Sequence, residues 1–237
     1  MLHARAQSQG PSYGFEGVLG EPVSAIDNLN QHAQSFLPYN PTLIEIGAHE
    51  GTGTMDLART YPYGRIFAFE PNPRAFAVLS ERVHEQAHVV AVNLAFATAG
   101  GEATLHLGPG GEDRDASLLE PRPRTGGEGA PAGVRVPCAT VDEWCTQSGL
   151  ARVEFLRLDA GGFELQILQR SRAVLESALV VVTKTYRNKP RAGIVSYPIL
   201  KLFLEMAGFE LLSHWYEEGA EGEAVFVRKP LYDSLFR

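Results

Sequence analysis

LIEIGAHEGTGT, residues 43–54, runs an apolar strand into a glycine-rich turn with an acid, Glu45, near the strand's end. A strand, a tight turn and a helix start together suggest a nucleotide-type cofactor, and the spacing narrows which one. A phosphate-cradling loop ends in Gly-Lys-Ser/Thr, and this turn has no lysine. A dinucleotide turn reads G-x-G-x-x-G, whereas Gly47 is followed here by Ala48 and His49. What remains is Glu45-x-Gly47-x-x-x-Gly51, a wider turn suited to a cofactor without phosphates whose charged amino-acid end lies over the glycines. Glu70 closes the next strand, RIFAFE, nineteen residues after Gly51. A carboxylate there can accept hydrogen bonds from both ribose hydroxyls. In this order, the two signals favour S-adenosylmethionine over NAD.

Working outward, strand and helix patterns alternate from residue 42 onward. TLIEIG, RIFAFE, HVVAVNLA, VEFLRLD and ALVVVTK read as strands, while GTMDLART, PRAFAVLSERVHEQ, FELQILQRSRAVLE and SYPILKLFLEMAG read as helices. The expected fold class is α/β, a doubly wound, mostly parallel Rossmann-like sheet of about seven strands. FELLSHW and EAVFVRK are joined by YEEGAEG, too short for a parallel crossover, so they are expected to form an antiparallel C-terminal hairpin. Residues 1–40 read as an N-terminal arm with a helix carrying Val23, Ile26, Leu29 and Phe36, and 41–237 as the main domain. Residues 108–133 are dense in Gly, Pro and charge and read as a loop-rich insertion forming a lid.

Composition limits the partners. The 237 residues carry 21 basic and 28 acidic side chains, a net charge of -7. RNKPR and PRPR are the longest basic clusters, too short for the basic stripe of a nucleic-acid binder. No apolar run reaches membrane-spanning length, and MLHARAQSQGPSYG lacks the apolar core of a signal peptide. Cys138 and Cys145 are too few for a disulfide framework and lack zinc spacing. A cytoplasmic protein acting on a small molecule, without nucleic-acid or membrane partners, is expected; oligomeric state is not legible.

The stretch LIEIGAHEGTGTMDLARTYPYGRIFAFEPNPRAFAVL resembles the cofactor half of the FkbM family of S-adenosylmethionine-dependent methyltransferases. Glu45, Gly47, Ala48 and Gly51 match its Asp-x-Gly-Ala-Asn-x-Gly pattern in kind, with His49 at the usual asparagine. Phe69, Glu70, Pro71, Asn72 and Pro73 match its Phe-Glu-Pro-Asn-Pro outright. VRVPCATVDEW, FLRLDAGGFELQIL, LEMAGFELL and AVFVR extend the resemblance over about residues 40–229.

The resemblance implies an O-methyltransferase acting on a hydroxyl of a sugar, polyketide or similar metabolite. The Gly47–Gly51 turn would carry the methionine end of the cofactor, with Glu45 receiving its ammonium and His49 lining the turn. Pro71 follows the ribose acid, and Asn72 either lies near the adenosine or caps the next helix. Leu94, Ala95 and Phe96 either wall the adenine or pack the core. Asp159, at the tip of VEFLRLD, is the candidate base, substrate anchor or ligand. Ser117 and Lys184 are the candidate acceptor contacts, Lys184 either for an acceptor carboxylate or phosphate or as a surface lysine. Gly161 stands at the family's usual glutamate, Arg157 at its usual lysine, and Lys184 where an acid is common. With so few carboxylates near Asp159, no metal is expected. The other readings are a cofactor-binding protein with decayed catalysis and an NAD-dependent oxidoreductase.

Overall fold

The computed structural model describes residues 35–108, 116–121, 133–187, 191–216 and 221–236. The N-terminal arm, nearly all of its expected helix and most of the 108–133 insertion lie outside the described residues. β1 (Thr42–Ile46), β2 (Arg65–Phe69), β3 (Val89–Val92), β7 (Phe155–Leu158) and β8 (Val180–Tyr186) run parallel. β9 (Phe209–Tyr216) and β10 (Glu221–Arg228) form the expected antiparallel hairpin. β10 inserts between β8 and β9, giving a seven-stranded sheet of order β3-β2-β1-β7-β8-β10-β9. This is the doubly wound α/β sheet expected from the alternation of patterns.

The strands are buried on both faces, which is why they read as continuous apolar runs. Ile44, Ile46, Leu156, Leu158, Val181 and Phe226 pack on one face. Their sequence neighbours Leu43, Phe155, Val180, Val182, Val225 and Val227 pack on the other. This second face is covered by α1 (Thr52–Thr60) through Leu57 and Ala58, and α2 (Pro73–Val83) packs beside it through Leu79 and Val83. The first face is covered by α3 (Val141–Gln147), α4 (Glu164–Leu168), α5 (Arg172–Ser177) and α6 (Tyr197–Met206). α7 (Lys229–Phe236) ends the described chain. Strand alternation therefore puts Glu45, Arg157, Lys184, Glu221 and Glu223 on the same face as Leu43, Phe155, Val182 and Val225, at the carboxyl edge of the parallel strands.

Two features depart from the sequence reading. FELQILQRSRAVLE is two helices, not one: Ser171 turns its hydroxyl back to the Ile167 carbonyl, and Asp142 of α3 accepts the amides of Ala173 and Val174. An acceptor supplied from another helix caps the start of α5 and ends α4. HVVAVNLA, read as one strand, leaves the main sheet after Val92, and Ala95 and Phe96 join a second sheet. β5 (Gly101–His106) and β6 (Gly133–Ala139) pair antiparallel, and β4 (Ala95–Phe96) joins β6 in parallel, forming a separate three-stranded sheet. That sheet closes one side of the carboxyl edge.

Candidate active site

A cleft of about 270 Å³ opens at the carboxyl edge of β1, β2 and β7, against the small sheet. Its floor is the quoted turn. Gly47 takes φ +82, and a Cβ there would stand 1.8 Å from the Asp159 carbonyl oxygen, so only glycine lets the chain leave β1 against the tip of β7. The Gly47 and Ala48 amides both donate to the Phe69 carbonyl, locking the turn to the end of β2. His49 holds φ +50, a left-handed conformation costing a non-glycine residue roughly 1–2 kcal/mol. Glu70 offsets that cost, because one carboxylate oxygen accepts the His49 amide at 2.8 Å and the other the Asn72 amide at 2.8 Å. A carboxylate oxygen can accept more than one hydrogen bond, so bracing the turn does not of itself exclude a ligand hydroxyl.

Glu45, Gly47, Ala48, His49, Glu70, Pro71 and Ala95 all line this cleft, as do Ser117, Asp159 and Lys184. Gly51 and Asn72 stand behind its wall. Gly51 begins α1, where a Cβ would press to 2.7 Å from the Leu79 side chain, so its task is close packing of α1 on α2. The Asn72 side chain accepts the Arg74 amide at 3.0 Å, which makes it the helix cap of α2. Leu94 and Phe96 reach the cleft, and Phe96 also packs on Phe69 at a ring distance of 4.5 Å, so it serves both wall and core.

The acidic and basic side chains form two rows. In the first, the buried Glu45 accepts the Thr54 hydroxyl at 2.6 Å and lies 3.6 Å from Arg157, which bonds Glu223 at 3.0 Å. Burial raises the Glu45 carboxyl above its ordinary range, partly offset by Arg157 and Thr54. Burial also opposes the charge on Arg157, but Glu223 and Glu45 outweigh it and hold the guanidinium protonated. In the second row, Lys184 lies 3.1 Å from Asp159 and 2.8 Å from Glu221. Burial is again outweighed by these carboxylates, and the Lys184 ammonium is raised well above its usual range. Lys184 is thus a half-buried lysine of the cleft wall, held between two carboxylates.

Glu164, at the start of α4, turns back to the chain between β7 and α4. Its carboxylate accepts the Ala160 and Gly162 amides at 2.9 and 3.1 Å, and burial pushes it up to about 7. It fixes the turn that follows Asp159. At Gly161, φ is +60 and a Cβ would stand 2.4 Å from the Ala116 carbonyl oxygen, so Ala116 and Ser117 occupy the space a side chain would need. Ser117 exchanges two backbone hydrogen bonds with His106, and Arg191 donates to the carbonyls of Leu119 and His106, pinning this strip over the cleft.

Sequence reasoning missed several participants. Thr52 and Gly53 line the cleft at the start of α1, and Phe163 and Leu105 close it from above. Asn93 donates to the Glu70 and Pro71 carbonyls at 2.7 and 3.0 Å and so fixes the tip of β2. An asparagine directly after an apolar strand was the available signal for it. Glu221 and Glu223 had none, since they reach the site only through the position of β10.

Comparison with known proteins follows the same lines. Residues 45–211 match the methyltransferase FkbM domain. The chain is 21% identical to the 2-O-methyltransferase NoeI of Sinorhizobium fredii, covering 89% of each protein. It is 25% identical to methyltransferase sdnD of Sordaria araneosa, over 74% of this chain and 76% of that one. Its fold is similar to the crystal structure of a methyltransferase FkbM from Methylobacillus flagellatus, with a TM-score of 0.52 and 12% identity. That likeness covers 81% of this chain but spans only 45% of the larger protein. The match over 45–211 covers most of the chain and contains the turn, Glu70 and Asp159; the protein belongs to the FkbM family of S-adenosylmethionine-dependent methyltransferases.

Proposed function

We propose that this methyltransferase acts on a hydroxyl of a small, uncharged acceptor of sugar or polyketide type, with Asp159 taking the hydroxyl proton. The observation that carries this reading is the Asp159 carboxylate, 42% exposed at the tip of β7 beside the glycine turn. When bound, S-adenosylmethionine supplies an electrophilic methyl group on a sulfonium. The chain's own residues supply position. Glu70 would hold the ribose, the Gly47–His49 turn the amino-acid end, and Leu94, Ala95 and Phe96 the adenine. Phe163 and the strip Ala116–Leu118 would exclude water from the acceptor side, with Ser117 as the insertion's contact.

Lys184 engages Asp159 Oδ2, which fixes the carboxylate and leaves Oδ1 to take the proton. Because Asp159 and Glu221 already offset the lysine's charge, an acceptor carboxylate or phosphate gains little there. The 2-O-methyltransferase activity in the name of the Sinorhizobium relative supports oxygen as the nucleophile. The free, buried thiols of Cys138 and Cys145 fit a reducing, cytoplasmic setting. Among the described residues, no helix is long and apolar enough to cross a membrane.

The test is Asp159→Asn, assayed as S-adenosylhomocysteine release with a panel of hydroxylated sugars and polyketides. Turnover should fall about 10²–10⁴-fold, the usual cost of losing a general base, while cofactor affinity stays within about threefold. Equal turnover would make Asp159 structural. The Lys184 pair also favours a second reading, a cofactor-binding protein with decayed catalysis, because the ammonium already occupies one of the two Asp159 oxygens. Turnover above the uncatalysed rate on any member of the panel excludes it.

A further inference from the structure

Arg157 has more donors than its partners use. Its Nη2 donates to Glu223 at 3.0 Å, whereas Nη1 stays 3.6 Å from Glu45, beyond hydrogen-bond length. Among the described residues the Glu223 bond is its one hydrogen bond, out of five N–H groups. The Arg157 side chain is 27% exposed and lines the cleft.

The start of α1 lies against it. Gly51 caps this nine-residue helix without any side-chain hydrogen bond, and no acid stands in its first turn. First-turn amides have no intrahelical partner, and the helix dipole adds partial positive charge there. Thr52 and Gly53 line the cleft at that point. A Cβ on Gly53 would stand 2.8 Å from Arg157 Nη1 and 2.9 Å from Glu45 Oε1. The glycine therefore lets guanidinium, helix start and Glu45 carboxylate converge. Cationic donors and an acid within one side chain's width suit a group carrying carboxylate and ammonium on the same carbon.

We propose that Arg157, with the uncapped start of α1, receives the carboxylate of the cofactor's amino-acid end while Glu45 receives its ammonium. Arg157 is then the residue that makes affinity depend on that end of the cofactor. Without it, the carboxylate would enter a site holding two acids, Glu45 and Glu223, and no cation between them.

The inference rests on S-adenosylmethionine being the cofactor, and calorimetry separates the two claims. The probes are S-adenosylhomocysteine and 5′-methylthioadenosine, which shares the adenosine and sulfur but lacks the amino-acid end. Wild-type protein should bind the first more tightly. Arg157→Met should weaken S-adenosylhomocysteine about ten- to a hundredfold while changing 5′-methylthioadenosine by no more than about twofold. Arg157→Lys keeps the charge that Glu45 and Glu223 require and so serves if the methionine variant fails to fold; it loses the planar fork and should show a smaller loss, about threefold or more, confined to S-adenosylhomocysteine. An unchanged ratio of the two affinities in folded Arg157→Met overturns the inference, as does an unchanged ratio in Arg157→Lys if the methionine variant fails to fold. Wild-type protein binding neither probe would overturn the cofactor assignment itself.

Discussion

Removing the Glu70 carboxylate tests the centre of the cleft, because the residue has two separable tasks. In the free protein it accepts the His49 and Asn72 amides, each at 2.8 Å. Glu70→Ala leaves both amides without that acceptor, at about 1–3 kcal/mol each when buried. The cleft admits water at the His49 side, so the lower end applies and a total near 2 kcal/mol is expected. For a chain of this size that corresponds to a fall in melting temperature of about 4–8 °C. In the complex the carboxylate would also accept two ribose hydroxyls. Charge-assisted bonds contribute about 1.5–3 kcal/mol each, so S-adenosylhomocysteine affinity should fall about a hundredfold or more. Glu70→Gln keeps one acceptor oxygen but turns an amide nitrogen toward a backbone N–H, and should lose most of the same affinity. Calorimetry and thermal melts read the two tasks independently. A folded Glu70→Ala protein with unchanged affinity would refute the ribose assignment, and an unchanged melting temperature would refute the bracing role.

Two further outcomes follow from the charged groups. Glu164 is raised by burial to about 7 from an ordinary value near 4.5, so the native state holds a proton the unfolded chain releases. Its contribution is fully present below about pH 4.5 and is lost as pH rises through about 7, on the order of 3 kcal/mol; Glu164→Gln should flatten this slope in thermal melts across pH 4–8, and parallel profiles for the two proteins would refute it. Methyl transfer should need no divalent cation, because Lys184 already occupies one Asp159 oxygen at 3.1 Å and its charge repels an ion there; a tenfold recovery on adding magnesium to chelated enzyme would overturn this.

The parts of the site legible in the sequence are those set by short-range geometry. Glu45, Gly47 and Glu70 are each fixed by strand tips and a turn within one βαβ unit, and spacing alone orders them. Gly51 and Asn72 belong to the same unit but were open to two accounts, because a turn glycine and a helix-capping asparagine look the same as ligand contacts when only spacing is visible. Gly51 turns out to face Leu79, and Asn72 to cap α2. The helix over 164–177 was misread because its break depends on Asp142, 31 residues before the amide of Ala173 that it caps. The small sheet escaped notice because its strands β4, β5 and β6 are short and interrupted by the insertion. Arg157 is visible in the sequence only as a departure from the family's usual lysine, because its partner Glu223 is 66 residues away.

That last contact explains why the antiparallel hairpin matters to chemistry as well as to the sheet edge. The five parallel strands present their carboxyl ends to the cleft. A further parallel strand would also bring its end there and leave its start at the opposite edge. β10 runs the other way, pairing Glu223 with Lys184 and Glu221 with Tyr186, so its beginning arrives at the cleft. It thereby supplies an acid to each row, Glu223 to Arg157 and Glu221 to Lys184. Each cation sits between two carboxylates, an arrangement that offsets the cost of holding it partly buried. Both rows share β7 and β10, so the group proposed to hold the cofactor's amino-acid end and the proposed base are fixed by the same two strands. A shift of β10 would disturb both at once, whereas loss of the insertion's strip at 116–118 would open the acceptor side and leave the Arg157 row intact.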